Sequence, residues 1–171
     1  MNIQQELTHD YLTTILHYDP ITGNFTWLQK RRGTATKGSI AGFNNGNGYQ
    51  TIYVGRKRYR LHRLAWFYMT KEWPKDMIDH INGNGLDNRW CNLREATRSQ
   101  NAQNSKLRNT NTTGVKGLTR DVTNNRWKAQ IVVDGIVHMK QSTRLDTCLE
   151  WLDTYRSKLH GAFANNGEVA V

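Results

Sequence analysis

A chain of 171 residues has room for one ordinary domain or for two or three small modules, which excludes a large enzyme. Six Trp, seven Tyr and four Phe supply anchors for small cores and argue against extensive disorder. With 24 Lys and Arg against 14 Asp and Glu the net charge is +10, which points first to a polyanionic partner, although a solvated basic surface would give the same sum.

The first 29 residues carry Glu6, Asp10 and Asp19 and no Lys or Arg, so the excess positive charge lies beyond them. From Lys30 to Arg63 nine basic residues follow without an acidic one, a field that attracts nucleic acid and makes binding sensitive to salt. Cys91 and Cys148 form no CxxC pair, so neither a thiolate zinc site nor a disulfide framework is expected, and a reducing cytoplasm fits. No stretch reads as a membrane helix or secretion signal.

Leu7, Tyr11, Leu12, Ile15 and Leu16 are spaced as on a helix, which Asp19-Pro20 and Thr22-Gly23 end in a turn. Residues 24–28 alternate as a short strand. Tyr49 to Val54 and Arg56 to Arg60 read as a hairpin turning at Gly55, and His62 to Met69 as a buried helix that stops before Glu72-Trp73-Pro74. Residues 77–104 read as a hairpin followed by a polar helix. Residues 105–113 have no apolar pattern and are expected to link modules. Beyond them lie strands at Val115–Arg120, Arg126–Val133 and Ile136–Gln141, then a helix capped by Asp146 and running to about Leu159. A three-stranded sheet against one helix is the natural packing.

Chemistry can be argued at Asp79-His80, Asn92 and Asn101. The Asp79 carboxylate and the Asn101 amide oxygen are hard donors suited to Mg2+, or to Mn2+, a cation that keeps several waters and accepts phosphate oxygens. His80, with an unperturbed pKa of ~6.5, suits a general base for an attacking water. Asn92 can orient His80 or tie down the long loop through its amide. His62 reads as packed near the site, Trp90 as core, and the Asn residues of NGNGLDN as turn chemistry.

The words LHRLAW, DHINGNGLDNRWCNL and REATRSQNAQN, over roughly Tyr59 to Asn104, resemble the HNH endonucleases of phages and mobile elements, of the homing type. The resemblance implies a ββα-metal fold in which Asp79 and Asn101 hold the metal, His80 is the general base and Asn92 steadies the hairpin, with Asn101 standing where the family often has His. It also implies that Arg63 or Arg94 contacts phosphate. Residues 114–164, with GVKG, RWKAQI, RLDT and KLHGAFA, resemble the Apetala-two/ethylene-response-factor DNA-binding domain. By that resemblance the sheet enters the major groove with the helix behind it. Several Arg and Trp positions of the plant domains are absent, so no plant target sequence carries over. Strand alternation puts Arg126, Lys128 and Gln130 on the reading face and Trp127, Ala129 and Ile131 toward the helix. Lys116, Gln141 and Arg144 are weaker candidates at matching positions, with Lys140 a candidate if the register differs. The N-terminal region looks like the segment that precedes such nuclease motifs, and Lys30, Arg31, Arg32, Arg56, Lys57 and Arg58 are expected on phosphates, which position rather than specify.

The expected architecture is α+β. Residues 1–58 form a helix and β-rich DNA-contacting region, 59–104 the ββα-metal nuclease core, 105–113 a linker, 114–164 the three-stranded antiparallel sheet plus helix, and 165–171 a tail. The expected activity is divalent-metal-dependent hydrolysis of double-stranded DNA, one strand per active site, by a monomer or weak dimer without small-molecule cofactor or membrane, in the cytoplasm of a bacterial host cell. The rival is a DNA-binding protein with a degenerate site. RNA is a weaker candidate partner, since neither an aromatic RNP sequence nor a GXXG clamp is evident.

Overall fold

The computed structural model describes residues 7–31, 33 and 35–167. The chain is mixed α and β, with four helices and four small sheets among the described residues. It divides into two compact units, one running to His80 and taking in Asn84–Glu95, the other formed by Ile81–Gly83 and the chain from Ala96 on.

In the first unit α1 (His9–Ile15) starts where the Thr8 hydroxyl accepts from Tyr11 N and buries Leu12 and Ile15. The apolar run does not continue the helix through Leu16. The chain instead turns extended there and forms β1 (Leu16–Tyr18), which pairs antiparallel with β2 (Phe25–Trp27), itself joined by β3 (Ile40–Ala41). Two apolar side chains spaced for either period satisfy both readings, and the buried alternation of Leu16 and Tyr18 selects the strand.

A second sheet holds β4 (Phe43–Asn44), β5 (Gln50–Val54) and β6 (Lys57–Arg60), with Gly55 and Arg56 in the turn. The short strands β1, β3 and β4 have too few residues to show alternation in the sequence. Against these sheets lies α2 (Leu61–Thr70), whose Leu61, His62, Leu64, Ala65 and Phe67 are buried, and Lys71 ends it with φ of 64°. Fully buried Leu12, Ile15, Leu16 and Leu64 anchor this core, each contributing about 1.5–3 kcal/mol of transfer free energy. Trp90 packs on the same core and lies 5.1 Å from Trp66.

After α2 come β7 (Met77–His80) and β8 (Leu93–Ala96), which pair as a two-stranded sheet, and then α3 (Arg98–Gln103). Thr97 and Gln100 form a reciprocal capping box at the start of α3. Asn92 lies in the 3-10 turn Trp90–Asn92 before β8 rather than on the strand itself.

In the second unit β9 (Leu118–Asp121), β10 (Arg126–Val133) and β11 (Ile136–Ser142) form an antiparallel sheet with β10 in the middle. The first strand begins at Leu118, later than the sequence pattern suggests, because Leu118 N donates to Val115 O and closes a turn there. Ala129 and Ile131 pack with Cys148 and Leu152 of α4 (Leu145–His160), while Trp127 and Val133 flank them. Arg144 rather than Asp146 occupies the N-cap of α4, with no side-chain cap bond, and Asp146 falls in the first turn, where its negative charge is stabilised by the positive end of the helix dipole. No helix of the described residues is long and apolar enough to cross a membrane.

Candidate active site

Asp79 and His80 end β7, both buried to 5% exposure. Successive strand residues point to opposite faces, and the two side chains meet different neighbours. Arg94, on the partner strand β8, grips Asp79 Oδ2 through Nε and a terminal nitrogen, each at 2.8 Å.

His80 lies in a cluster of side chains from three elements. Its Nε2 is 3.2 Å from Asn88 Oδ1, its ring is edge-on to His62 at 5.0 Å, and Tyr49 lies 6.0 Å away. Asn88, 2% exposed, donates its amide nitrogen to Gln50 Oε1 at 2.8 Å, which turns its carbonyl oxygen to the histidine. Nε2 of His80 is therefore the donor in that bond, and in the neutral ring Nδ1 is the basic nitrogen. Burial pushes the His80 pKa down, and the Asn88 bond, Asp79 and Asp87 offset part of that shift. His62 is pushed down to about 3, first by burial and then by His80, Arg60 and Arg63, and its buried Nδ1 has no hydrogen-bond partner among the described residues. Both rings are thus neutral at neutral pH.

The loop that carries Asn88 is fastened to the first unit's core. The Tyr18 hydroxyl donates to Asn88 O at 2.7 Å, and Trp90 N donates to Pro20 O at 3.0 Å. Burial, then Asp19, raises the Tyr18 pKa, which keeps the hydroxyl a donor. Gly23, at φ of +76°, lets the Asp19–Asn24 turn approach this loop, since a Cβ there would lie 2.5 Å from Arg89 N. Gly85 does the same on the other side, where a Cβ would meet Gly48 O at 2.3 Å and the Tyr49 ring at 2.8 Å. Asp87 holds Arg89 with bonds of 2.8 and 2.6 Å, and its carbonyl accepts from Asn92 Nδ2 at 2.8 Å, so the Asn92 amide ties the loop to the 3-10 turn.

Asn101 is half-buried on α3, in the second unit, and its N–H donates to Thr97 O. Among the described residues no group of three or more His, Cys, Asp or Glu is arranged to hold a metal ion.

The basic residues fall into three settings. Lys30 and Arg31 line a cleft of about 780 Å³ with Trp27, Ala35, Tyr53 and Gly55, and the Arg31 guanidinium lies 5.1 Å over the Trp27 ring. Arg56, Lys57 and Arg58 are exposed on the β5–β6 hairpin. Arg32 lies outside the described residues. Arg63 and Lys116 are engaged internally. Arg63 donates to Asp76 O and Pro74 O, bracing the loop before β7, and Lys116 Nζ donates to Gln103 O at 2.7 Å and Ser105 O at 2.6 Å, satisfying carbonyls at the end of α3. Burial, then Arg156, lowers the Lys116 pKa to about 8.

On the second unit's sheet the register puts Gln141 opposite Lys128 and Met139 opposite Gln130, so these four share the face away from α4 with Arg126. Lys140 is opposite Ala129, on the α4 side. Arg144 is exposed before α4.

Asn88, Gln50 and Tyr49 were not legible as site residues. Asn in a glycine-rich loop is ordinarily turn chemistry, and the buried amide at Asn88 shows itself only once Tyr18, Gln50 and His80 are assembled around it.

The segment that holds this constellation matches the HNH endonuclease family over residues 59–103. Protein 3.8 of Escherichia phage T7 is 35% identical over 117 residues, spanning 68% of this chain and 94% of that protein. An uncharacterized HNH endonuclease of Acanthamoeba polyphaga mimivirus is 30% identical over 152 residues, spanning 82% of this chain and 78% of that protein. No solved structure matches the chain at a significant level. The family match falls on the segment carrying Asp79, His80, Asn92 and Asn101, and the likeness to the mimivirus protein extends well beyond it: the chain belongs to the HNH endonuclease family.

Proposed function

We propose that this protein is a divalent-metal-dependent DNA endonuclease of the homing type that hydrolyses phosphodiester bonds, one strand at each active site. The observation that carries the reading is the buried, neutral His80, with its Nε2 proton committed to Asn88, beside the buried carboxylate of Asp79. In the proposed reaction His80 Nδ1 takes a proton from water. The water oxygen bonds to phosphorus, the bond from phosphorus to the leaving sugar oxygen breaks, and that oxygen takes a proton from solvent.

The donors suit a hard cation: the Asp79 carboxylate and the Asn101 amide oxygen would hold Mg2+, or Mn2+ in its place, with water and phosphate oxygens completing the shell. The metal would supply charge neutralisation at the phosphate and leaving oxygen. Arg94 on Asp79 Oδ2 means that a cation there shares the carboxylate with the guanidinium or displaces it.

Residues 59–104 are the cutting module in this reading, and residues 114–164, joined by 105–113, an Apetala-two-like module whose Arg126, Lys128, Gln130 and Gln141 face the major groove. Lys30, Arg31, Arg32, Arg56, Lys57 and Arg58 position the N-terminal region on phosphates. Arg144 completes the proposed DNA contacts, and Arg63, Arg94 and Lys116 would join them only by giving up their bonds to Asp76 and Pro74, to Asp79, and to Gln103 and Ser105. A monomer nicks, and cutting both strands takes two sites or two events. Tethering by the second module raises the local concentration of the cutter on DNA.

A second reading, a DNA-binding protein that does not cut, is favoured by the Arg94–Asp79 pair and by the sparse ligand set. Conversion of supercoiled plasmid to open circle, with Mg2+, with EDTA and with His80→Ala, separates the two. Metal-dependent nicking lost in the variant supports the nuclease; tight duplex binding without nicking, across metals and sequences, supports the second reading.

A further inference from the structure

The outer face of the β9–β10–β11 sheet changes character along its length. At one end Arg126 and Lys128 of β10 stand with Thr119 of β9 and Gln141 of β11, which flank Lys128 in the register. At the other end the cross-strand pairs become Gln130 with Met139 and Val132 with Val137. Val132, Val137 and Met139 are 45%, 54% and 51% exposed, although the same strands bury Ala129 and Ile131 completely or nearly so on the other face. A half-buried strand normally turns polar residues outward. Here it turns out three adjacent apolar ones, continuous with a basic and amide-bearing row.

We propose that this apolar end packs on the 5-methyl groups of thymine in the major groove, so that the sheet reads A·T steps beside the pairs contacted by Lys128, Gln130 and Gln141. The inference rests on the DNA-binding reading of this sheet and adds a specificity to it. Charge selects DNA as the occupant: Arg126 and Lys128 lie on this face, whereas Asp146, Glu150 and Asp153 lie on α4, which packs against the back. Two acidic residues stand at its ends: Asp121 opposite Arg126, far from the apolar pairs, and Asp134 in the β10–β11 turn two residues beyond Val132, so the positive charge on this face is carried by Arg126 and Lys128 at the end away from that turn. In the major groove the thymine methyl is the apolar group among base edges that otherwise present donors and acceptors, and apolar side chains read it by contact.

The test compares the full-length protein, in EDTA, on alternating poly(dA-dT) and alternating poly(dA-dU) duplexes, which differ only by that methyl. Burying one methyl is worth about fourfold in affinity, so two contacts give a preference of about 15-fold for the thymine duplex. The triple variant Val132→Ser, Val137→Ser, Met139→Gln is expected to bind both duplexes equally, at the affinity of wild type for the uracil duplex, with the same slope of affinity against salt. Equal binding of the two duplexes by wild type overturns the proposal, as does a thymine preference that survives in a triple variant with native circular dichroism. A wild-type dimer in sedimentation that becomes monomeric in the triple variant assigns the patch to a second copy and also overturns it. Failure to bind any duplex at low salt rejects instead the DNA-binding reading on which the proposal rests.

Discussion

Asn88 Oδ1 accepts the Nε2 proton of His80 at 3.2 Å while its own amide nitrogen is held by Gln50, so one buried asparagine fixes both the tautomer and the tilt of the histidine ring. Asn88→Ala is expected to lower single-turnover nicking by about 10- to 100-fold, the size of effect seen when an orienting partner of a functional histidine is removed, with little change in KM. The acid limb of the pH–rate profile, where His80 takes up its proton, should be retained, because the proton acceptor is still present. Plasmid nicking from pH 5.5 to 9 checks this.

Arg94, itself half-buried, pairs with the buried Asp79, and its loss leaves that carboxylate without its guanidinium. Arg94→Gln is expected to destabilise the protein by about 3 kcal/mol in EDTA. If Asp79 is a metal ligand, Mg2+ or Mn2+ at millimolar concentration should recover part of that loss and raise the variant's Tm more than that of wild type. Thermal unfolding with and without metal measures both, and equal shifts in the two proteins would count against a metal at Asp79.

His62 makes stability depend on pH. Its pKa is depressed from the ordinary ~6.5 of an exposed histidine to about 3 in the folded state, so between these values the unfolded chain binds more protons. Stability is therefore full above about pH 6.5 and falls as the pH drops toward 3. The lowered pKa of His80 acts in the same direction. His62→Phe, which removes the orphaned Nδ1 and keeps a ring against Tyr49, is expected to flatten the acid limb without abolishing it. Urea midpoints at pH 5, 6 and 7.5 report the slope.

Gly23→Ala probes the seam between the N-terminal turn and the loop that carries Asn88. The new methyl would lie 2.5 Å from both Arg89 N and Asn88 C, on backbone that also requires a positive φ. A stability loss of about 1–3 kcal/mol is expected, together with reduced nicking, because the displaced loop carries the asparagine that orients His80. Urea titration and the plasmid assay measure the two effects on the same preparation. Gly55→Ala, also at positive φ but with open space around it, should cost backbone strain while leaving the site intact.

Read alone, the sequence determines what local chemistry and periodicity can encode. The β10–β11 hairpin was legible because Asp134-Gly135 joins two runs of strand formers, and the fold closes it there with φ of 49° and 82°. Helix α2 was legible from its apolar spacing. Asp79, His80, Asn92 and Asn101 stood out because their residue types recur in a known pattern. The tertiary structure alone decided Leu16's place in a strand, where a three-residue run carries no period of its own. It decided the choice of Gln141 over Lys140, since a shift of one residue in register exchanges the faces of a strand. It also decided the partners of Asp79 and His80. Arg94 lies fifteen residues from Asp79, and Gln50 thirty-eight from Asn88, so these bonds follow from strand pairing and loop packing between distant segments. Hydrogen bonds of that kind leave no local signature, because a polar side chain in a loop looks the same in the sequence whether water or a buried histidine is its partner.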